Sequence, residues 1–132
     1  MKNIILSGST GFIGSNISKM LISSEEINLD SINLRKNSDE IEKEIKDKHY
    51  DVFIHSAGVH PFRDRLESPE IFSENKKILQ KVENIFKISK KVILISSFVN
   101  LINFDKKTMD ENNKIYTNKD DNFYKKSKYS TE

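Results

Sequence analysis

Three of the four glycines in this 132-residue chain fall at Gly8, Gly11 and Gly14, within the stretch ILSGSTGFIGSNI. Glycines spaced this way between an apolar run and an amphipathic segment suit one chemistry, the holding of phosphate. A pyrophosphate must come close to the main chain at the turn, where a Cβ would obstruct it. It then rests on the unpaired N–H groups and the positive end of the following helix. Gly14, inside the first helical turn, would let that helix pack tightly on the strands. The alternative is a flexible turn with no ligand.

The elements that must position these glycines are legible around them. Residues 2–7 form a short apolar strand, and Ile13, Ile17, Met20 and Leu21 recur at helical spacing up to about Ser23. Residues 27–35 predict a second strand, and a charged helix follows with Ser38 or Asp39 as its N-cap. Residues 50–58 predict a third strand, Pro69 to Ser89 a long helix, and residues 90–97 a fourth strand that is almost continuously apolar. Residues 103–123 are polar, and a further helix begins near Asn122. Strands with continuous rather than alternating hydrophobicity, separated by helices, predict an α/β fold. The sheet is parallel, covered on both faces and wound with right-handed crossovers into a Rossmann-like layer sandwich. The length fits one domain, residues 1–132.

Composition narrows the function. Twenty-two basic and 20 acidic residues give a net charge of +2 without a basic stripe, so nucleic-acid binding is not expected. No apolar run approaches the ~20 residues that span a bilayer. The first residues run into glycines rather than a cleavage site, so a membrane or secretory destination is not expected and a cytoplasmic one is. The absence of cysteine removes disulfides and thiolate metal sites, and no metal is expected. One polar residue stands out on the long helix: Asn75 falls inside the stripe of Ile71, Ile78, Val82 and Ile85. A buried amide needs partners, so Asn75 is either a satisfied core amide or a residue facing a site.

The spelling GSTGFIG resembles the extended short-chain dehydrogenase/reductase family, the NAD(P)-dependent sugar-nucleotide epimerases and dehydratases. Its G-x-x-G-x-x-G spacing differs from the G-x-G-x-x-G of many dehydrogenases. The resemblance extends to DVFIHSAG, Asp51 to Gly58, similar to the family's D-x-x-I-H-x-A-[AG] strand; His55 is read as a structural strand residue with a satisfied hydrogen bond. It implies cofactor contacts at Gly8, Thr10, Gly11, Phe12, Ile13, Gly14, Ala57 and Gly58, and an active-site asparagine at Asn75. ISSF resembles the family's serine-ended strand and implies a catalytic Ser97. YKKSK, 27 residues on, resembles YGKSK and implies a catalytic Tyr124 and Lys128. On a helix, positions i and i+4 share one face, so both side chains reach the same nicotinamide. The Lys128 ammonium would lower the phenol's pKa from its usual ~10, so Tyr124 could exchange a proton with a substrate hydroxyl as hydride moves. Ser97 would hold the reacting oxygen, and Lys128 would also bind the nicotinamide ribose. The implied substrate is a nucleotide sugar, and the family often forms homodimers.

Three departures shape the expectation. FVNLIN stands where the family's pattern ends in Tyr-Gly. Residues 24–50 hold only one strand and one helix, so one edge strand of the sheet is missing. Asp30 lies within the second strand and Arg35 at its end. Arg35 is either a contact for a 2′-phosphate, which leans toward NADP over NAD, or a solvated surface residue. The chain also closes four residues after Lys128. The expectation is therefore a truncated form lacking the carboxy-terminal substrate-binding part, inactive alone. A non-catalytic nucleotide-binding or interaction module that keeps only the Rossmann core is the alternative function.

Overall fold

The computed structural model describes residues 1–59 and 69–95. Strands β1 (Lys2–Ser7), β2 (Ile27–Ile32), β3 (Tyr50–His55) and β4 (Ser89–Leu94) form a parallel sheet in the order β2-β1-β3-β4. Helices α1 (Phe12–Ile22), α2 (Ser38–Ile45) and α3 (Pro69–Lys87) connect them. By its contacts the chain divides into a first unit, Met1–Gly58 with Lys77–Ile95, and a second, Val59–Lys76 with Ser96–Glu132. The expected α/β, Rossmann-like parallel sheet is present, with one strand and one helix between α1 and β3.

Continuous strand hydrophobicity has the predicted consequence in the first unit. Along β1, Ile4 and Leu6 face one side with Ile54, against Ile17 and Leu21 of α1. Ile5 faces the other side with Phe53, against Ile41 and Ile45 of α2 and Val82 and Ile85 of α3. Phe53, Ile5 and Leu6 are fully buried. Each such side chain contributes about 1.5–3 kcal/mol of transfer free energy. Phe53 also meets Phe86 edge-on at 5.4 Å between ring centroids.

Several boundaries differ from the sequence expectation for local reasons. The stripe that α1 buries is Gly14, Ile17 and Leu21, whereas Ile13 and Met20 are exposed. The N-cap of α2 is Asn37, not Ser38 or Asp39. Its side chain accepts from Glu40 N at 2.9 Å while the Glu40 carboxylate accepts from Asn37 N at 2.9 Å, a reciprocal capping box. Strand β2 stops at Ile32 rather than residue 35, because the Asn33 side chain accepts from Arg35 N at 3.0 Å and its carbonyl from Lys36 N at 3.1 Å. Those bonds turn the chain. Arg35 therefore sits in a turn three residues beyond the strand. Strand β3 ends at His55, which leaves residues 56–58 as a loop. Helix α3 ends at Lys87, and Ser89 opens β4 in register with Tyr50.

Candidate functional site

Strand β1 feeds α1 on one face of the sheet, and β2 feeds α2 on the other. The winding thus reverses around β1, and a doubly wound sheet opens its ligand crevice at the carboxyl ends of the strands on either side of such a reversal. A cleft of about 560 Å³ lies there, lined by residues 8–11, 31–35 and 56–58 and by Ile78.

Its floor is set by two glycines. Gly8 adopts a left-handed φ of +80°, and a Cβ on it would lie 2.7 Å from Ala57 N. A side chain at this position would be both strained and obstructed. A Cβ on Gly14 would run into the Gly8 carbonyl and lie 2.7 Å from Ser56 Oγ. The first turn of α1 therefore rests directly on the end of β1. Gly11 is the N-cap of α1 in an extended conformation, and no side chain caps it. The start of α1 thus presents main-chain donors beside the cleft, and among the described residues no carboxylate or hydroxyl consumes them. This is a cradle that a dinucleotide pyrophosphate fits: close approach is open at Gly11, and the anion would meet the positive end of a helix.

The strand ends beneath are held by polar bonds. Ser7 Oγ and His55 Nδ1 are 2.6 Å apart and buried. Ser7 O accepts from both the amide (3.1 Å) and the hydroxyl (2.8 Å) of Ser56. His55 thus occupies the strand position expected for it, in contact with its neighbour strand.

At the far wall, the Arg35 side chain is exposed, and among the described residues it has no acidic partner. Neighbouring Lys36 is paired with Glu44. Lys81 Nζ, from α3, donates to the carbonyls of Leu34 and Lys36 at 2.9 Å each. Asp30 faces away from this wall, accepting from Lys48 Nζ at 2.8 Å and the Tyr50 hydroxyl at 2.7 Å. Lys48 first, then Tyr50, holds the Asp30 carboxyl below its usual pKa. Burial, then the bond to Asp30, pushes the Tyr50 phenol above its own. Among the described residues no group of His, Asp and Glu could hold a metal ion, and no helix is long and apolar enough to cross a membrane.

Of the residues expected at a cofactor, Gly8, Thr10, Gly11, Arg35, Ala57 and Gly58 line one cleft. Phe12, Ile13 and Gly14 form the adjoining first turn of α1, with the Phe12 side chain 87 % exposed. In the second unit, Asn75 is buried, and its amide closes a pair of bonds on the main chain of one residue: Oδ1 accepts from Val59 N at 2.7 Å and Nδ2 donates to Val59 O at 3.2 Å. Ser97, Tyr124 and Lys128 lie outside the described residues. Sequence reasoning missed Ser31, Asn33 and Ile78 in the lining, and also Lys81. A signal for Lys81 existed: it lies three residues after Ile78 and four before Ile85, so it is a lysine in register with an apolar stripe.

No family model matches the chain, and no curated protein matches it. Solved structures do. The UDP-Glc/GlcNAc 4-epimerase of Campylobacter jejuni superposes with a TM-score of 0.82 at 13 % identity, over 99 % of this chain and 47 % of the epimerase. The GDP-mannoheptose C4 reductase of the same organism, solved with NADP, gives 0.79 at 15 % identity over 98 % and 44 %. The dTDP-glucose 4,6-dehydratase of Bacillus anthracis, solved with NAD, gives 0.63 at 18 % identity over 99 % and 48 %. This chain shares their fold. It spans less than half the length of each of these three enzymes.

Proposed function

We propose that this chain is the dinucleotide-binding part of an NAD(P)-dependent enzyme of the epimerase, dehydratase or reductase type that acts on a nucleotide sugar. The observation that carries the reading is the packing of Gly14 on Gly8, which leaves Gly11 and the uncapped start of α1 bare at the cleft. The shared fold with epimerases, a dehydratase and reductases of nucleotide sugars supports it.

When bound, the dinucleotide supplies the hydride acceptor or donor. The chain supplies binding and proton handling. The loop from Gly8 to Gly11 and the first α1 amides, Phe12 to Gly14, take the pyrophosphate. Ala57 and Gly58 admit it by their small size. Arg35 takes a 2′-phosphate, which favours NADP over NAD. Tyr124, its proton affinity lowered by Lys128, exchanges a proton with the substrate hydroxyl. Ser97 hydrogen-bonds the reacting oxygen, and Lys128 holds the nicotinamide ribose. These three roles rest on the sequence pattern. Asn75 is the active-site asparagine that the resemblance implies, and its amide bonds both main-chain groups of Val59.

Calorimetric titration of the full chain with NAD+ and NADP+ tests the binding claim, and no binding of either at millimolar concentration overturns it. Turnover of a nucleotide sugar by the longest natural form of the polypeptide, compared with its Tyr124→Phe variant, tests the chemistry. Equal activity in the two rejects Tyr124 as the acid/base.

A further inference from the structure

The turn after β2 carries the cleft's one cation without an acidic partner among the described residues, Arg35, yet its sequence offers little to stiffen it. Asn33 supplies a side-chain bond to Arg35 N and a main-chain bond to Lys36 N. A further restraint comes from 47 residues away in sequence. Lys81, half-buried on α3, spends two of its three N–H bonds on the carbonyls of Leu34 and Lys36, the residues on either side of Arg35. We infer that Lys81 is a positioning residue that clamps this turn and so sets how the cleft distinguishes a dinucleotide with a 2′-phosphate from one without.

Three physical effects act together. The clamp fixes the main chain on both sides of residue 35, so less backbone freedom is lost when the guanidinium closes on a phosphate. It engages two carbonyl oxygens that would otherwise repel an anion at the same wall. It also places a positive charge beneath the turn, half-buried and so less screened than an exposed lysine. Lys36, one residue on, cannot substitute, because its ammonium is paired with Glu44. Lys81 itself acts through Arg35 and needs no contact with the ligand.

The inference rests on the cleft binding a dinucleotide, and its test separates the two claims. The full chain is titrated with NADP+ and with NAD+ as wild type, Lys81→Met and Lys81→Arg, and amide hydrogen exchange is followed in the free protein. Wild type should favour NADP+. Lys81→Met should lose about tenfold in NADP+ affinity, the loss of charge-assisted hydrogen bonds, while NAD+ affinity stays within about twofold. Exchange at Arg35 and Lys36 should accelerate in the same variant, and Lys81→Arg should restore both readouts. If Lys81→Met does not fold, Lys81→Gln carries the same comparison. An equal loss for both dinucleotides, an unchanged NADP+ to NAD+ ratio, or a wild type that favours NAD+ or binds the two alike overturns the role of Lys81 alone. A wild type that binds neither overturns the dinucleotide reading and this inference with it.

Discussion

The main chain of Gly14, in the first turn of α1, packs directly on the carbonyl of Gly8 at the end of β1, and no Cβ fits between them. The nearest obstructing atoms, the carbonyl oxygen and carbon of Gly8, are backbone, so they cannot swing aside as the end of a flexible side chain would. Gly14→Ala should therefore cost about 1–3 kcal/mol, the range for overpacking a site that cannot relax. Urea unfolding reads this as a lower midpoint at unchanged slope. A midpoint equal to wild type would mean that α1 lifts off β1 at little cost.

A second backbone prediction lies away from the cleft. Asp47 is the one residue other than glycine at positive φ among the described residues, 59°, just after α2. Aspartate tolerates this region better than most residues, and a β-branched side chain tolerates it poorly. Asp47→Val should lower stability by about 1–2 kcal/mol, whereas Asp47→Gly should leave it level or raise it slightly. Thermal unfolding of the pair checks the order, and equal melting temperatures would remove the conformational explanation.

The bonds of Tyr50 and Lys48 to Asp30 predict two opposite pH dependences. The Asp30 carboxyl is held below its usual value, so its contribution is present above the unfolded pKa near ~4 and is lost as pH falls through the folded value. The buried Tyr50 phenol is raised, so its contribution is complete below the unfolded value near ~10 and is lost as pH rises beyond it. Tyr50→Phe should cost about 1–2 kcal/mol at neutral pH and should flatten the alkaline loss. It should only weaken the acid loss, because Lys48 remains. Unfolding midpoints across the pH range read both limbs. An alkaline limb as steep in the variant as in wild type would rule out Tyr50 as its source.

What the sequence made legible follows from what sequence can encode. The strand cores of β1 and β3 and the stripe of α3 were readable, because burial on two faces of a sheet leaves an unbroken apolar run. The glycine turn was readable because a positive φ and a missing Cβ leave no other residue choice. Boundaries were less so. The reach of β2 beyond Ile32 was overestimated, because one side-chain bond, Asn33 to Arg35 N, outweighed the apolar residue at Leu34. The N-cap of α2 lies before Ser38, because Asn37 and Glu40 complete each other, as Ser38 with Ile41 three residues on could not. The place of Lys81 in the apolar stripe of α3 was readable, but its partners were not, since the clamp joins residues 45 and 47 positions apart.

The last prediction separates binding from folding at the turn itself. Gly11 sits between two glycines that packing requires, yet packing does not require it. Its backbone is extended, at φ −77° and ψ 169°, which any residue can adopt. Among the described residues, a Cβ there would meet only Gly8 O, at an ordinary 3.4 Å. As an N-cap, glycine replaced by alanine costs about 1 kcal/mol or less. The space that a Gly11 side chain would fill is the approach to the start of α1. If a pyrophosphate uses that approach, Gly11→Ala should fold nearly as wild type does and lose tenfold or more in dinucleotide affinity, roughly 1.4 kcal/mol. Calorimetric titration beside urea unfolding measures both quantities on one preparation. Full affinity in a folded Gly11→Ala variant would show that the phosphates pass elsewhere and that the glycine is there for the turn alone.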